Sequence, residues 1–539
     1  MKKLFKAFAA TLASIFLLSA CSGLASNDST NKNSDFLTNG GSGEALRIVA
    51  GSEQKILEPI VEAYAAKSGN KIAIDYLGSL DIMNQLQTGE IAYDAVWPAS
   101  SIWLEMGDSK NILKHEEVTS ITPVIFGIKQ SLAEELGFVG KDGITMTDIS
   151  QAIDSDRLNF TMTSATQSNS GASAYLAFLT ALSKTPEDGL SMEDLADPEL
   201  QNKITSLLSG VERSSGSSNW LVDLFLMGNY NAMVNYEQLI IQTNIELERQ
   251  GKETLYAVYP SDGISLSNAP LAYVDKKNDK KEEIFLDFQK YILSDEAQNK
   301  IERTGKRNAF GMVSDNNKDV YDKDKGFNVD DVLSPIRLPQ SDVIQESLIM
   351  YQTNFKKPAY TIYVLDYSGS MHGQGNQDML KALEQVLLPE NSRKHYLLGT
   401  QNDKTIVLPF ASNVKTPREE SGNDLTVLYD FAKNQTVRGG TAMYEAIIEA
   451  LNLAQQEATL ENYTPAIVVL SDGKANGDMG YYDLENAYKE LELDIPIFSI
   501  KFGKSDDSEL SKIAELSRAR VFDGRENLIG AFKKVKGYN

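Results

Sequence analysis

Three short segments of this 539-residue chain carry side chains able to gather around a hard cation. The first is Asp366-Tyr-Ser368-Gly-Ser370-Met371. It sets one carboxylate and two hydroxyls on alternate residues, so all three can converge on one point. Thr441 follows 441 − 366 = 75 residues later, in Val437-Arg-Gly-Gly-Thr441-Ala-Met443, and Asp472 follows 472 − 366 = 106 residues later, in Ser471-Asp472-Gly473. Every donor is oxygen and only two are charged. Such a set suits Mg2+, which prefers octahedral oxygen and keeps some waters, with Mn2+ or Ca2+ as alternatives. The low anionic count leaves the ion electrophilic, so a vacant position can take a carboxylate from a partner protein. Competing chemistry is sparse. His115, His372 and His395 lie far apart in sequence, and there is no Ser–His–Asp arrangement, no paired general acid and base and no GxxxxGKS phosphate loop. His372 reads as a solvated loop residue beside the cation loops. A binding protein is expected rather than an enzyme.

The elements that deliver these loops are strands followed by helices. Tyr360–Leu365 is a continuous apolar run, as expected at the centre of a parallel sheet, and Ala466–Leu470 is a second. Ile495–Phe502 is a third strand. Met443, Ile447 and Leu451 recur at spacing four on a helix, and amphipathic segments around 507–517 and 524–536 close the chain. DYSGSM, GGTAMYEAI and LSDGKANG, in that order over about 180 residues, resemble the metal-ion-dependent adhesion site of von Willebrand factor A (VWA) domains. The resemblance implies a Rossmann-like VWA domain over 358–539, with Asp366, Ser368, Ser370, Thr441 and Asp472 as its metal-site residues. Asn354-Phe-Lys-Lys-Pro358 reads as the linker before it.

Residues 45–350 alternate strand and helix patterns, which indicates an α/β domain with a mainly parallel sheet. Strands at 46–50, 71–76 and 93–97 end in Gly51-Ser52-Glu53, Leu77-Gly78-Ser79 and Pro98-Ala99-Ser100-Ser101. Ligands collect at such carboxyl ends. A second α/β unit begins near Ile121. Within it, Ser164-Ala-Thr-Gln-Ser-Asn-Ser-Gly-Ala172 feeds a helix, which offers hydroxyls and free N–H groups to an anion or polar ligand, or merely caps the helix. These segments, with Ala232-Met-Val-Asn-Tyr-Glu237 and Val258-Tyr-Pro-Ser-Asp-Gly263, look like bacterial extracellular solute-binding proteins. That resemblance implies two lobes of periplasmic-binding-protein type around a cleft, and makes Ser52, Ser79, Ser101, Ser170 and Tyr236 candidate residues for a small solute.

The amino terminus suggests where the chain works. Lys2, Lys3 and Lys6 precede an apolar run from Ala7 to Leu18, too short for a stable membrane span and suited to a signal peptide over 1–20. Leu18-Ser19-Ala20-Cys21 resembles the lipobox of bacterial lipoproteins, which implies a diacylglycerol on Cys21 and retention at the extracytoplasmic face of the cell membrane. Cys21 is also the single cysteine, so intramolecular disulfides and multi-thiolate zinc are excluded. Residues 21–44, rich in Ser, Asn and Gly, read as the lipidated cysteine and a flexible tether. No later segment is apolar enough to cross a membrane. The net charge of 52 − 75 = −23 repels phosphate backbones and excludes general nucleic-acid binding. The expectation is a surface lipoprotein that holds a protein carboxylate through its metal and a small ligand or partner in its cleft. The alternative is the solute receptor of an ABC-type importer.

Overall fold

The computed structural model describes residues 34–394, 396–472, 474–491, 493–501, 507–525 and 528–537. The signal peptide, Cys21 and most of the tether lie outside the described residues, as does His395. Twelve strands build the first region: β1 (Phe36–Leu37), β2 (Ser42–Gly51), β3 (Asn70–Leu77), β4 (Ala95–Trp97), β5 (Leu113–Val118), β6 (Thr122–Lys129), β7 (Phe160–Thr163), β8 (Val211–Ser215), β9 (Ala232–Tyr236), β10 (Leu255–Val258), β11 (Ser265–Ser267) and β12 (Pro270–Val274). They form two sheets, ordered β1-β3-β2-β4-β12-β5 in lobe 1 and β10-β6-β9-β7-β8 in lobe 2, with β11 beside β6.

These sheets are mixed rather than mainly parallel. The β2, β3 and β4 strands run parallel, but β12, returning from lobe 2, pairs antiparallel with both β4 and β5. In lobe 2, β7 lies parallel to β8 and β9, while β6 runs antiparallel to β9 and β10. A chain that crosses between lobes must come back, and its returning strands enter against the grain. The crossings are pinned together: Thr119 Oγ1 donates to Ala269 O at 2.7 Å, Trp97 Nε1 donates to Thr119 Oγ1 at 2.9 Å, and Ile121 bridges Arg307.

Part of the stretch expected to be tether forms strand. Phe36 and Leu37 pair antiparallel with Ile74 and Ala73 of β3, and β2 begins at Ser42. Thr38 is buried there, its hydroxyl accepting from Ile72 N at 3.1 Å. Two apolar residues and one satisfied hydroxyl suffice to order a stretch whose average composition is that of a linker.

In lobe 2 the helix Asn169–Leu182 is buried along its whole length, which matches its nearly unbroken apolar sequence. Its approach to β7 depends on Gly171, where a Cβ would lie 2.2 Å from Thr163 O and 2.8 Å from Ser164 C. Neither backbone atom can swing aside. Gly171→Ala is therefore expected to cost about 1–3 kcal/mol through overpacking, seen as a lower urea midpoint at an unchanged slope.

The helix Ser341–Met350, extended by a π turn through Phe355, ties the lobes to the second region. Val343, Ile344, Leu348, Tyr351 and Phe355 join the lobe 2 core, and Gln352 Nε2 donates to Thr166 Oγ1 at 2.6 Å. The link between the two regions thus shrinks to Lys356–Pro358.

The second region holds β13 (Ala359–Asp366), β14 (Lys404–Phe410), β15 (Arg418–Ser421), β16 (Thr464–Ser471), β17 (Ile497–Lys501) and β18 (Val521–Asp523), in the order β15-β14-β13-β16-β17-β18. All neighbours are parallel except the edge strand β15. The central β13 is buried at every position because helices cover both faces, and this is why its sequence is a continuous apolar run without alternation.

Candidate metal centre and solute cleft

Parallel strands deliver their carboxyl ends to one edge, and three loops at that edge are knotted together. Arg438 N donates to Tyr367 O at 2.8 Å, and Gly369 N to Gly439 O at 2.9 Å. Thr441 N donates to Asn476 Oδ1 at 2.6 Å, and Asn476 N returns to Thr441 O at 3.0 Å. Gly439 has φ +96°, a conformation that glycine tolerates, and its Cβ position lies 2.5 Å from Ser412 Oγ. That hydroxyl accepts from Gly440 N at 2.7 Å.

The five predicted donors sit in this knot. Asp366 is fully buried; its Oδ1 accepts from Ser368 N at 2.7 Å and its Oδ2 from Ser471 Oγ at 2.6 Å. Burial pushes its carboxyl above the ordinary range, against hydrogen bonds from Ser368 and Ser471. Ser368 Oγ lies 3.0 Å from Ser370 Oγ, which donates to Asp472 Oδ1 at 2.7 Å. Thr441 is held next to these loops through its backbone bonds to Asn476. A hard ion with ligands at about 2.1 Å in an octahedron spaces adjacent oxygens about 3.0 Å apart. The Ser368–Ser370 separation equals that edge and the 2.7 Å Ser370–Asp472 hydrogen bond is shorter than it; the all-oxygen donor set gathered at one sheet edge fits a divalent cation. Ser412, Ser471 and Asn476 orient the donors; Ser471 and Asn476 stand within LSDGKANG, and Ser412 lies outside all three motifs. Ser471 was legible in principle, being the last residue of a buried strand beside Asp472. His372 is exposed at the rim.

The five cleft candidates come from both lobes, at strand ends that face one another, and each is engaged within the fold. Ser52 Oγ lies 3.5 Å from Ser217 Oγ across the lobes. Ser79 Oγ accepts from Ala99 N at 3.0 Å, and Ser101 Oγ accepts from Asn268 Nδ2 at 3.1 Å. Ser170 Oγ sits 2.8 Å from both Thr163 Oγ1 and Ser218 Oγ, and Tyr236 Oη accepts from Asn169 Nδ2 at 2.9 Å. The groups that stand unpartnered are others. Glu53 Oε1, both amide atoms of Gln54, Gln238 Oε1 and Lys306 Nζ are buried with no hydrogen-bond partner among the described residues. Burial pushes the Glu53 carboxyl up and the Lys306 ammonium down to about 8, each against the other's charge.

Residues 46–307 match the model of the bacterial extracellular solute-binding protein family, and residues 362–527 match that of the von Willebrand factor type A domain. The chain joins a solute-binding domain to a VWA domain. No curated protein matches it. Solved structures similar to it include iron-bound HitA from Pseudomonas aeruginosa (14% identity, 57% of this chain and 98% of that one, TM-score 0.43). A ferric binding protein from Campylobacter jejuni is similar at 14% identity, with 57% of this chain and 98% of that one covered and a TM-score of 0.42. For the VWA half, a von Willebrand factor type A protein from Catenulispora acidiphila has 17% identity over 34% of this chain and 43% of that one, at TM-score 0.28. Both modules are binding modules, and the first implies an extracytoplasmic location. Among the described residues no helix is long and apolar enough to cross a membrane.

Proposed function

We propose that the chain is a lipid-anchored receptor at the extracytoplasmic face of the cell membrane, held at Cys21, that recognises a protein carboxylate through a divalent cation at the VWA domain. The observation that carries this reading is the knot of three loops that gathers Ser368, Ser370 and Asp472 into one hydrogen-bonded set of oxygen donors. Asp366, Ser368, Ser370, Thr441 and Asp472 would hold the ion, with Mg2+ favoured by the donor set. The ion, when bound, supplies an electrophilic position for a partner's Asp or Glu. The chain's own residues fix the geometry: Ser471 and Ser368 N–H aim Asp366, and Asn476 anchors the Thr441 loop. Approach is open, because Asp494, which precedes β17, and Arg518 and Arg520, which precede β18, face the lobes from the opposite edge of the sheet.

A small polar solute between the lobes is the second part of the reading, with Ser52, Ser79, Ser101, Ser170 and Tyr236 framing the space. The unpartnered polar atoms of Glu53, Gln54, Gln238 and Lys306 support it. On this view the chain also serves as the solute receptor of an ABC-type importer. The deciding experiment is pull-down from envelope extract with the purified chain. Partner capture in millimolar Mg2+ and its release by a chelator are expected; equal capture in both conditions would sink the metal reading.

A further inference from the structure

The two lobes are closed on one another. Asn219 Nδ2 donates to Ser52 O at 2.6 Å and Gln238 Nε2 to Glu53 O at 3.2 Å, while the Cβ position of Gly78 lies 2.7 Å from Gln167 O. The closed arrangement carries a cost, since Glu53 Oε1 and Lys306 Nζ are buried without a hydrogen-bond partner among the described residues. Apolar packing of Leu80, Met83, Ile102 and Trp103 against the lobe 2 core, with Trp103 Nε1 donating to Asn169 Oδ1 at 2.6 Å, offsets part of that cost, and the VWA domain is placed to add to it.

The VWA domain packs against lobe 2 and sets two lysines near a lobe 1 carboxylate. From lobe 2, Arg213 Nη1 pairs with Asp494 Oδ1 at 2.9 Å and Tyr230 O–H donates to Asp494 Oδ2 at 2.8 Å. Arg518 meets the same carboxylate at 2.8 Å. Burial would raise the Asp494 carboxyl, but the two guanidinium charges and the Tyr230 hydrogen bond hold it below the usual range. Trp220 packs on the VWA core, with the Arg520 guanidinium 4.7 Å over its ring. On the terminal helix Leu528–Gly537, Lys533 O accepts from Gln167 Nε2, and Lys533 and Lys534 lie within Coulombic range of Asp81 in lobe 1. The coupling is local: Asn219 grips lobe 1 and the next residue, Trp220, grips the VWA domain.

We propose that the VWA domain is an intramolecular clamp that holds the solute-binding lobes closed, so that undocking it opens the space between them. The role as a gate of solute access rests on the solute reading above, but lobe opening can be measured with no solute present. A failed solute screen would remove that reading and leave the clamp standing.

Hydrogen–deuterium exchange on the full chain tests it, comparing wild type with Trp220→Ala/Asp494→Asn. Amides of Ser52–Leu57 and Ser218–Met227 are expected to exchange about tenfold faster or more, with β13 unchanged. Arg520→Ala, which alters no lobe residue, should shift the same peptides in the same direction, and guards against misfolding of the double variant. If exchange at Ser52–Leu57 stays at the wild-type rate in both variants, the lobes close by themselves and the clamp is wrong.

Discussion

Asp366→Ala is expected to abolish divalent-cation binding and, with it, chelator-sensitive partner capture. The wild-type chain should gain stability from Mg2+ by mass action, about 2.7 kcal/mol when the ion is at a hundred times its dissociation constant. In the variant that gain should vanish, with affinity down about 100-fold or more, since even outer-sphere partners of a metal contribute 10–100-fold. Two effects must be separated. Removing a buried carboxylate also takes the acceptor from Ser368 N–H and one bond from Ser471 Oγ, which costs about 1–3 kcal/mol with no ion present. Asp472→Ala is the cleaner companion, because Asp472 is only partly buried and the hydroxyl that donates to it, on Ser370, is exposed. It should lose the Mg2+ response while keeping the metal-free melting temperature within a few degrees. A Mg2+-induced shift of wild-type size in either variant would remove these carboxylates from the site.

The two halves of the chain differ in how far their sequence could be read. The candidate metal loops were readable because two of the motifs end the strands β13 and β16, which a parallel sheet sends to one edge, while the third, at Thr441, leads into the helix Met443–Gln456. The strand β13 announces itself by burial on both faces. What holds the donors in place was less visible: the Asn476 and Ser412 side chains each accept one hydrogen bond that no periodicity encodes. In the solute-binding half, the serines after strands bond to other groups of the fold. The unpartnered charge at Lys306 lies in a segment that looks like ordinary loop. The domain contact was illegible, since Arg213 and Asp494 are 281 residues apart and neither has a local signature. Where a charge is satisfied only by tertiary folding, sequence shows the charge and conceals its partner.

The largest stability effect expected in the solute-binding half comes from such a concealed pair. Glu237 opens the helix Glu237–Arg249 and is fully buried; Arg307 returns from lobe 1 and is nearly so. Their contact is bidentate, Arg307 Nε to Glu237 Oε2 at 2.9 Å and Nη2 to Oε1 at 2.7 Å, and Tyr259 O–H adds a bond to Oε1 at 2.5 Å. The helix amino terminus favours the carboxylate further. Hydrogen bonds and the Glu237 charge outweigh burial and hold Arg307 above its ordinary pKa, so it stays charged throughout the accessible range. Glu237→Ala would strand that guanidinium in the interior. Breaking a buried pair from one side costs about 3–5 kcal/mol, a large share of the stability of a typical domain. Replacing both partners by apolar residues of similar volume removes the stranded charge, so Glu237→Met/Arg307→Met should be more stable than Glu237→Ala alone. Urea unfolding, followed separately in peptides of the solute-binding and VWA domains by exchange, checks both statements. The loss should fall on residues 46–307 and spare β13. A Glu237→Ala variant within about 1 kcal/mol of wild type would show that water reaches Arg307, and that the crossing at Ile121 and Arg307 is held by its backbone bridge instead.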